Sequence, residues 1–325
     1  MLPMDDDHRC CAPDRESHHE SLVPTAFDAV GRDKHAIAQA RIPAGTFLMG
    51  DSTGDGNPGD GETPVHSVFI PEFEIDVTSV TNEQFAVFIA DTGYRTEAEV
   101  FGFSAVFHLA VQTDPSNVMS AASGTPWWLG VTGADWAHPG GPGSTLDGLG
   151  QHPAVHISWN DAIAYCDWAG RRLPTEAEWE RASRGGLEAA RYPWGNELMD
   201  PQTGDWRCNI WQGQFPTANT VDDGWLTTAP TLSFTPNAFG LWQTVGNVWE
   251  WCADWYSPDY YGLSPRESPT GPDAGESRVL RGGSYLCHDS YCNRYRNSAR
   301  SSNTPDSSMG NAGFRTVSVA GLQAS

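Results

Sequence analysis

Basic residues are scarce in this chain: 19 Lys and Arg stand against 41 Asp and Glu, a net charge of −22 over 325 residues. A surface this acidic repels phosphate backbones and argues against nucleic acid as a partner. It suits a cationic partner, such as a peptide carrying arginine, although the same charge also serves plain solubility. Missing too is any apolar run long enough to span a bilayer, so no membrane partner is expected. The opening segment, MLPMDDDHRCCAPDRESHHE, is acidic and lacks the apolar core of a secretory signal, so the expected compartment is the cytoplasm. Cysteines number only seven, an odd count that does not suit a closed disulfide framework. In a reducing compartment a close cysteine pair reads as metal-binding or catalytic before it reads as structural. Long helices are hard to place among 34 glycines and 23 prolines.

What is present is a core: 39% of residues are hydrophobic and 14 are tryptophan. Residues 1–36 read as a flexible acidic tail, in which Cys10 and Cys11 lie with His8, His18 and His19 in a solvated setting. Residues 37–322 read as one α+β domain with little regular secondary structure. GTFLMG suits a strand, HSVFIPEFEID alternates like one, and the loop DSTGDGNPGDGETP between them has D-x-x-G-D-G spacing without a complete EF-hand pattern. Three helices carry their own start and stop signals: Thr81 with Gln84 and Gly93, Ser158 with Gly170, and Thr175 with Glu178 before Gly185 and Gly186. Residues 94–152 are poorly periodic and carry no assigned element, a length of loop that is often functional. Past residue 190 the pattern is short strands and tryptophan-studded loops.

The chemistry concentrates in GGSYLCHDSYCNRYRNSAR, where Cys287 and Cys292 stand in a C-x₄-C spacing. Alone, that spacing is equally the mark of a disulfide. A structural zinc needs four ligands, and only His288 is near. Thiolates are soft and select Cu(I); two of them leave a coordination position open for a third. Cys166, Cys208 and Cys252 read as small hydrophobes.

Taken in order, HPAVHISWNDAIAYCDWAGRRLPTEAEWERASRGG, YPWGNE, NIWQGQFP, FGLWQTVGNVWEWCADWY and RVLRGGSYLCHDSYCNRYRNSARSSNTPDSSMGNAGFR resemble the formylglycine-generating enzymes, or sulfatase-modifying factors, over about residues 40–319. TPWWLGVTGADWAHPGGPGS belongs to the same resemblance. It implies the irregular fold of that family, related to C-type lectin-like folds. It implies oxidation, dependent on copper and O2, of the cysteine in a sulfatase C-x-P-x-R motif to Cα-formylglycine. The implied partners are an unfolded or nascent sulfatase polypeptide, O2, and an external thiol or other reductant. Cys287 and Cys292 would be catalytic as the Cu(I) ligands, and Trp249, Ser284, His288, Tyr291, Ser308 and Asn311 would line the peptide groove. One Ca2+ would be held by Asn209, Ile210, Asp223 and Trp225, and a second by Gln243, Gly246, Val248 and Glu250, with glutamine where relatives carry asparagine. Asn297 and Thr316 replace cysteines of secreted relatives. Gly143 replaces an acid that meets the substrate arginine, a role left to Glu97 or Glu99. The resemblance also admits a non-catalytic peptide- or ligand-binding module on the same fold, and an iron sulfoxide synthase, which would need a histidine cluster.

Overall fold

The computed structural model describes Pro13, Phe27 and residues 30–319. Most of the expected tail, with Cys10 and Cys11, therefore lies outside the described residues. Phe27 packs edge-on against Phe88, with ring centroids 5.8 Å apart, and Gly31 N donates to Trp168 O at 2.8 Å. Contact with the core thus begins ahead of residue 37.

The helices start and stop where their caps dictate. In α1 (Asn82–Thr92) Thr81 accepts from Gln84 N, and Gly93 closes it at φ 66°. In α3 (Trp159–Ala169) Ser158 and Asp161 form a reciprocal capping box, and Gly170 closes it at φ 63°. In α4 (Glu176–Ser183) Thr175 and Glu178 do the same, and Gly185 and Gly186 follow with positive φ. Each cap satisfies backbone N–H groups that have no partner inside the helix, and each is worth about 1 kcal/mol.

Residues 94–152 are not structureless. They hold α2 (Glu97–Phe101), capped by a Thr96/Glu99 box, and a three-stranded antiparallel sheet in the order 103–107, 125–132, 118–122. Five helical residues are too few to show a period. In the central strand the buried residues Thr125, Trp128 and Val131 fall three apart, because the pairing with 118–122 shifts register twice. Bulges of that kind erase the two-residue alternation a strand usually shows.

A four-stranded sheet in the order 300–303, 278–281, 249–255, 312–313 carries the functional half of the molecule. The last pair is parallel and the others antiparallel. A second four-stranded sheet, 39–42, 73–76, 317–318, 171–172, backs a smaller core around Ile42, Val68, Ile75 and Val317. The main core holds six fully buried tryptophans, at 128, 168, 179, 211, 249 and 251. Truncating any of them to alanine would cost about 3–5 kcal/mol.

Arginines lie inside as well. Arg281 is wholly buried and bridges Glu176 (2.8 Å) and Glu180 (2.6 Å) on α4. Arg300 takes Glu176 from another side at 2.6 Å, and Arg315 holds Glu250 at 2.7 Å. Burying these charges is tolerable only because every one is paired at close range. The pairs tie α4 to strands 278–281 and 300–303, between which the cysteine segment lies.

Candidate functional site

The site begins at a double glycine. Gly282 and Gly283 have φ 95° and 72°, and a Cβ on them would meet Thr244 O at 2.6 Å and Arg294 O at 2.5 Å. Only glycine fits a left-handed backbone pressed this closely against its neighbours. Beyond it, Cys287 N donates to Ser284 O at 2.9 Å. The amides of Tyr291, Cys292 and Asn293 then all converge on His288 O, at 3.1, 2.9 and 3.1 Å. One tight turn therefore separates Cys287 from Cys292. Both are buried, 0% and 2% exposed, and neither is in a disulfide. Ser284 N points at Cys287 Sγ from 3.4 Å.

The other expected groove residues divide by burial. Ser284 is wholly buried, and its Oγ accepts from Asn311 Nδ2 at 3.0 Å, so those two brace the Cys287 turn from behind. Trp249 is also wholly buried, its amide donating to Asn311 O at 2.8 Å. His288 is partly open and turned toward Ser290 Oγ at 2.8 Å. Tyr291 is half-buried and stacks on Phe215 at 4.2 Å, with Trp127 standing edge-on 5.1 Å from Tyr291. The aromatic wall of Trp127, Phe215 and Tyr291 is assembled from three distant segments. Trp127 and Phe215 therefore could not be assigned from sequence.

Ser308 joins a relay. Its Oγ lies 2.8 Å from Ser104 Oγ, which lies 2.8 Å from His156 Nδ1, and His156 Nε2 lies 2.9 Å from Pro139 O. The carbonyl can only accept, so Nε2 carries the proton. Burial lowers the His156 pKa to about 4, so the ring is neutral and Nδ1 accepts. Ser104 must then donate to His156 and accept from Ser308. The relay fixes the Ser308 hydroxyl as a donor toward Ser104. Its only sequence signal was a histidine inside an apolar run, HPAVHISW.

The Gly/Asp-rich loop 51–62 is a strap over the cysteine segment. Asn57 Nδ2 donates to Cys292 O at 2.8 Å, Asp60 grips Arg294 at 2.6 and 2.8 Å, and Glu62 grips Arg296 through two contacts of 2.7 Å. Asp51 organises the loop itself, accepting from Thr53 N, Gly54 N and Gly56 N. Its carboxylate is spent on backbone.

The expected cation sets differ in fit. In the first, Asn209 Oδ1 is buried with no hydrogen-bond partner, and so is Oε1 of the adjacent Gln212. Burial raises the pKa of Asp223, and no basic side chain pairs with it among the described residues. Asp223 accepts from Ile210 N, Gln212 Nε2 and Trp225 N, all neutral donors, so orphaned oxygens lie beside a carboxylate with no cationic partner, which fits a hard cation. In the second set Gln243 Oε1 is an orphan too, but Glu250 is already taken by Arg315 and by Trp179 Nε1 at 2.8 Å. That set offers no unengaged carboxylate and does not fit a divalent ion in this arrangement.

Two other expectations meet obstacles. Glu97 is 1% exposed beneath α2, where burial first and Asp161 second raise its pKa to about 7, and Glu99 closes the α2 cap. Neither stands open to solvent as an arginine receptor. At Gly143 a Cβ would lie 2.4 Å from Gln112 O, so this backbone admits no acid there. Cys166, Cys208 and Cys252 are buried at 1% or less, and burial raises their pKa values. Among the described residues, no group of three or more His, Cys, Asp and Glu is placed to hold a metal. Among them, also, no helix is long and apolar enough to cross a membrane.

The class follows from the architecture. PvdO from Pseudomonas aeruginosa shares this fold at a TM-score of 0.62 and 24% identity, over 86% of this chain and 93% of that one. The family follows from the sequence: residues 26–320 match the sulfatase-modifying factor enzyme 1-like domain, and the chain belongs to that family. A formylglycine-generating enzyme from Streptomyces coelicolor is 60% identical over 90% of this chain and 92% of its own length. One from Bos taurus is 50% identical, over 93% and 78%. An inactive C-alpha-formylglycine-generating enzyme 2 from Bos taurus is 43% identical, over 88% and 89%. The family thus includes an inactive member, and membership alone does not decide activity.

Proposed function

We propose that this protein converts the cysteine of a C-x-P-x-R segment in sulfatase polypeptides to Cα-formylglycine, with Cu(I) held by Cys287 and Cys292 and O2 as oxidant. One observation carries the reading: two buried free thiols stand at the two ends of a single turn closed on His288 O, with a backbone donor on one of them. Copper(I), when bound, would supply the one-electron chemistry with O2 that no side chain has. The protein's own residues do the rest. The Trp127, Phe215 and Tyr291 wall gives an extended peptide an apolar face, which suits an unfolded or nascent chain. The Ser308–Ser104–His156 relay sets hydrogen-bond polarity beside the groove, and the strap holds Cys292 in register. Rigid placement of this kind contributes by proximity. The Asn209 set would hold one structural Ca2+. An external thiol would supply reducing equivalents, in keeping with a reducing compartment such as the cytoplasm.

The second reading, a binding module without catalysis, has in its favour the 43% identical inactive relative. Both are tested by loading the protein with Cu(I) and incubating it in air with a C-T-P-S-R peptide and a thiol. Mass spectrometry should find the aldehyde. Intact cysteine at full copper loading would leave only the binding reading. Cys287→Ser and Cys292→Ser should each lose tight Cu(I) binding.

A further inference from the structure

Of the seven cysteines, Cys11 alone has proline at +2 and arginine at +4. Cys11-Ala12-Pro13-Asp14-Arg15 is itself a C-x-P-x-R segment. With 23 prolines and 19 basic residues in 325, such a coincidence is expected for on the order of 0.4% of cysteines. Pro13 is the one described residue of the five, and it touches the functional half: Asn303 Nδ2 donates to Pro13 O at 3.1 Å. Asn303 is 2% exposed and ends the strand 300–303, and its Nδ2 also faces Met309 Sδ at 4.0 Å. The loop it opens carries Ser308 and Asn311. The motif's proline is therefore docked on the strand that leads into the groove.

We infer that residues 11–15 are an in-chain substrate, lying in the groove of the same chain with Cys11 in the place of the sulfatase cysteine. The inference rests on the proposed function. Reach permits it: Phe27 is anchored on Phe88 and Tyr94, and the residues between it and Pro13 can span roughly 45 Å. Charge permits it as well. Asp306 sits three residues past Asn303, only partly buried and held by Thr304 Oγ1 at 2.7 Å. That carboxylate offers a counter-charge to an arginine two residues beyond the docked proline.

The chemistry balances with the reagents already named. The thiol-bearing methylene of Cys11, O2 and two external thiols give an aldehyde, hydrogen sulfide, water and one disulfide. The Cβ–S bond breaks, a C=O bond forms, and the two thiols supply the two electrons that O2 needs beyond those from the cysteine. A tethered segment is present at an effective concentration on the order of 1 mM. If its intrinsic Kd is about 0.1 mM, it blocks the groove about 90% of the time and weakens an external peptide about tenfold.

Two measurements on the full chain decide it. The first needs no copper. A fluorescent peptide with serine in place of the motif cysteine is titrated into the parent and into the Pro13→Ala/Arg15→Ala variant, and anisotropy is read. The variant should bind about tenfold tighter; equal affinities overturn the inference while leaving the groove assignment intact. Failure of both proteins to bind the peptide would sink the functional reading and the inference with it. The second is peptide mapping after aerobic incubation with copper and thiol. Cys11 should carry an aldehyde that a hydroxylamine reagent captures, with a half-time independent of protein concentration. A thiol at Cys11 in a sample that converts external peptide overturns the placement.

Discussion

Glu62→Ala removes the carboxylate that grips Arg296, a side chain with no solvent exposure. The guanidinium keeps Asn293 O and Ser298 Oγ as partners, at 2.8 and 2.9 Å, and of charged groups Asp55 Oδ1 at the longer distance of 3.8 Å. A buried charge stripped of its counter-ion costs about 3–5 kcal/mol; with Asp55 left as a more distant one, the loss should fall at the lower end of that range. For a domain of this size that lowers Tm by on the order of 10 °C. Thermal unfolding followed by tryptophan fluorescence reads it directly, since six indoles lie in the core. Replacing both partners by apolar residues, Glu62→Leu with Arg296→Met, should recover most of the loss, because no charge then stays buried. The variants also report on the strap: Glu62→Ala should weaken Cu(I) binding although both thiols remain. A loss below about 1 kcal/mol would mean that water reaches the pair. A double variant as unstable as the two singles combined would mean that shape, not charge, is what the pair supplies.

Asp254 is buried, and burial first and Glu176 second raise its pKa to about 8. The folded protein therefore keeps a proton that the unfolded chain releases near pH 4, and this group's contribution to stability falls as pH rises from about 4 to 8. Asp254→Asn should gain over the parent between pH 5 and pH 8 in urea titrations; a constant difference would refute the assignment. Chelation should lower the Tm of the parent but not of Asp223→Asn, and Ca2+ at a hundredfold excess over Kd should restore about 2.7 kcal/mol. Gly143→Asp should destabilise by about 1–3 kcal/mol without improving KM, because its Cβ meets Gln112 O at 2.4 Å. A lower KM at unchanged Tm would show that the loop yields.

What could be read in sequence was local. Thr81, Ser158 and Thr175 announce helices because a cap is a contact between residues three apart, and Gly93 and Gly170 end them by backbone conformation alone. The same signature, T-E-A-E at Thr96, was present for α2 but opened a helix too short to repeat. The cysteine pair was legible because its turn spans six residues. The partners that fix that turn were not: Asn57, Asp60 and Glu62 lie more than 230 residues away in the chain. The burial of the arginines of NRYRNSAR is hidden from the sequence for the same reason. Their acids are remote, and only the fold shows that three of them are nearly wholly enclosed. The Trp127 and Phe215 wall and the Ser104–His156 relay likewise exist only as contacts between segments.

Six arginines, at 184, 281, 294, 296, 300 and 315, are turned inward. Their acidic partners are buried with them, so the bases are neutralised inside and the outward-facing charge keeps the strongly negative sign of the composition. Its first consequence is kinetic. An arginine-bearing chain approaching through dilute buffer is drawn in before any contact forms, and raising the salt shortens the reach of that pull to about 8 Å at physiological ionic strength. The association rate should therefore fall steeply with salt, while the dissociation rate, set by contacts at the groove, should barely change.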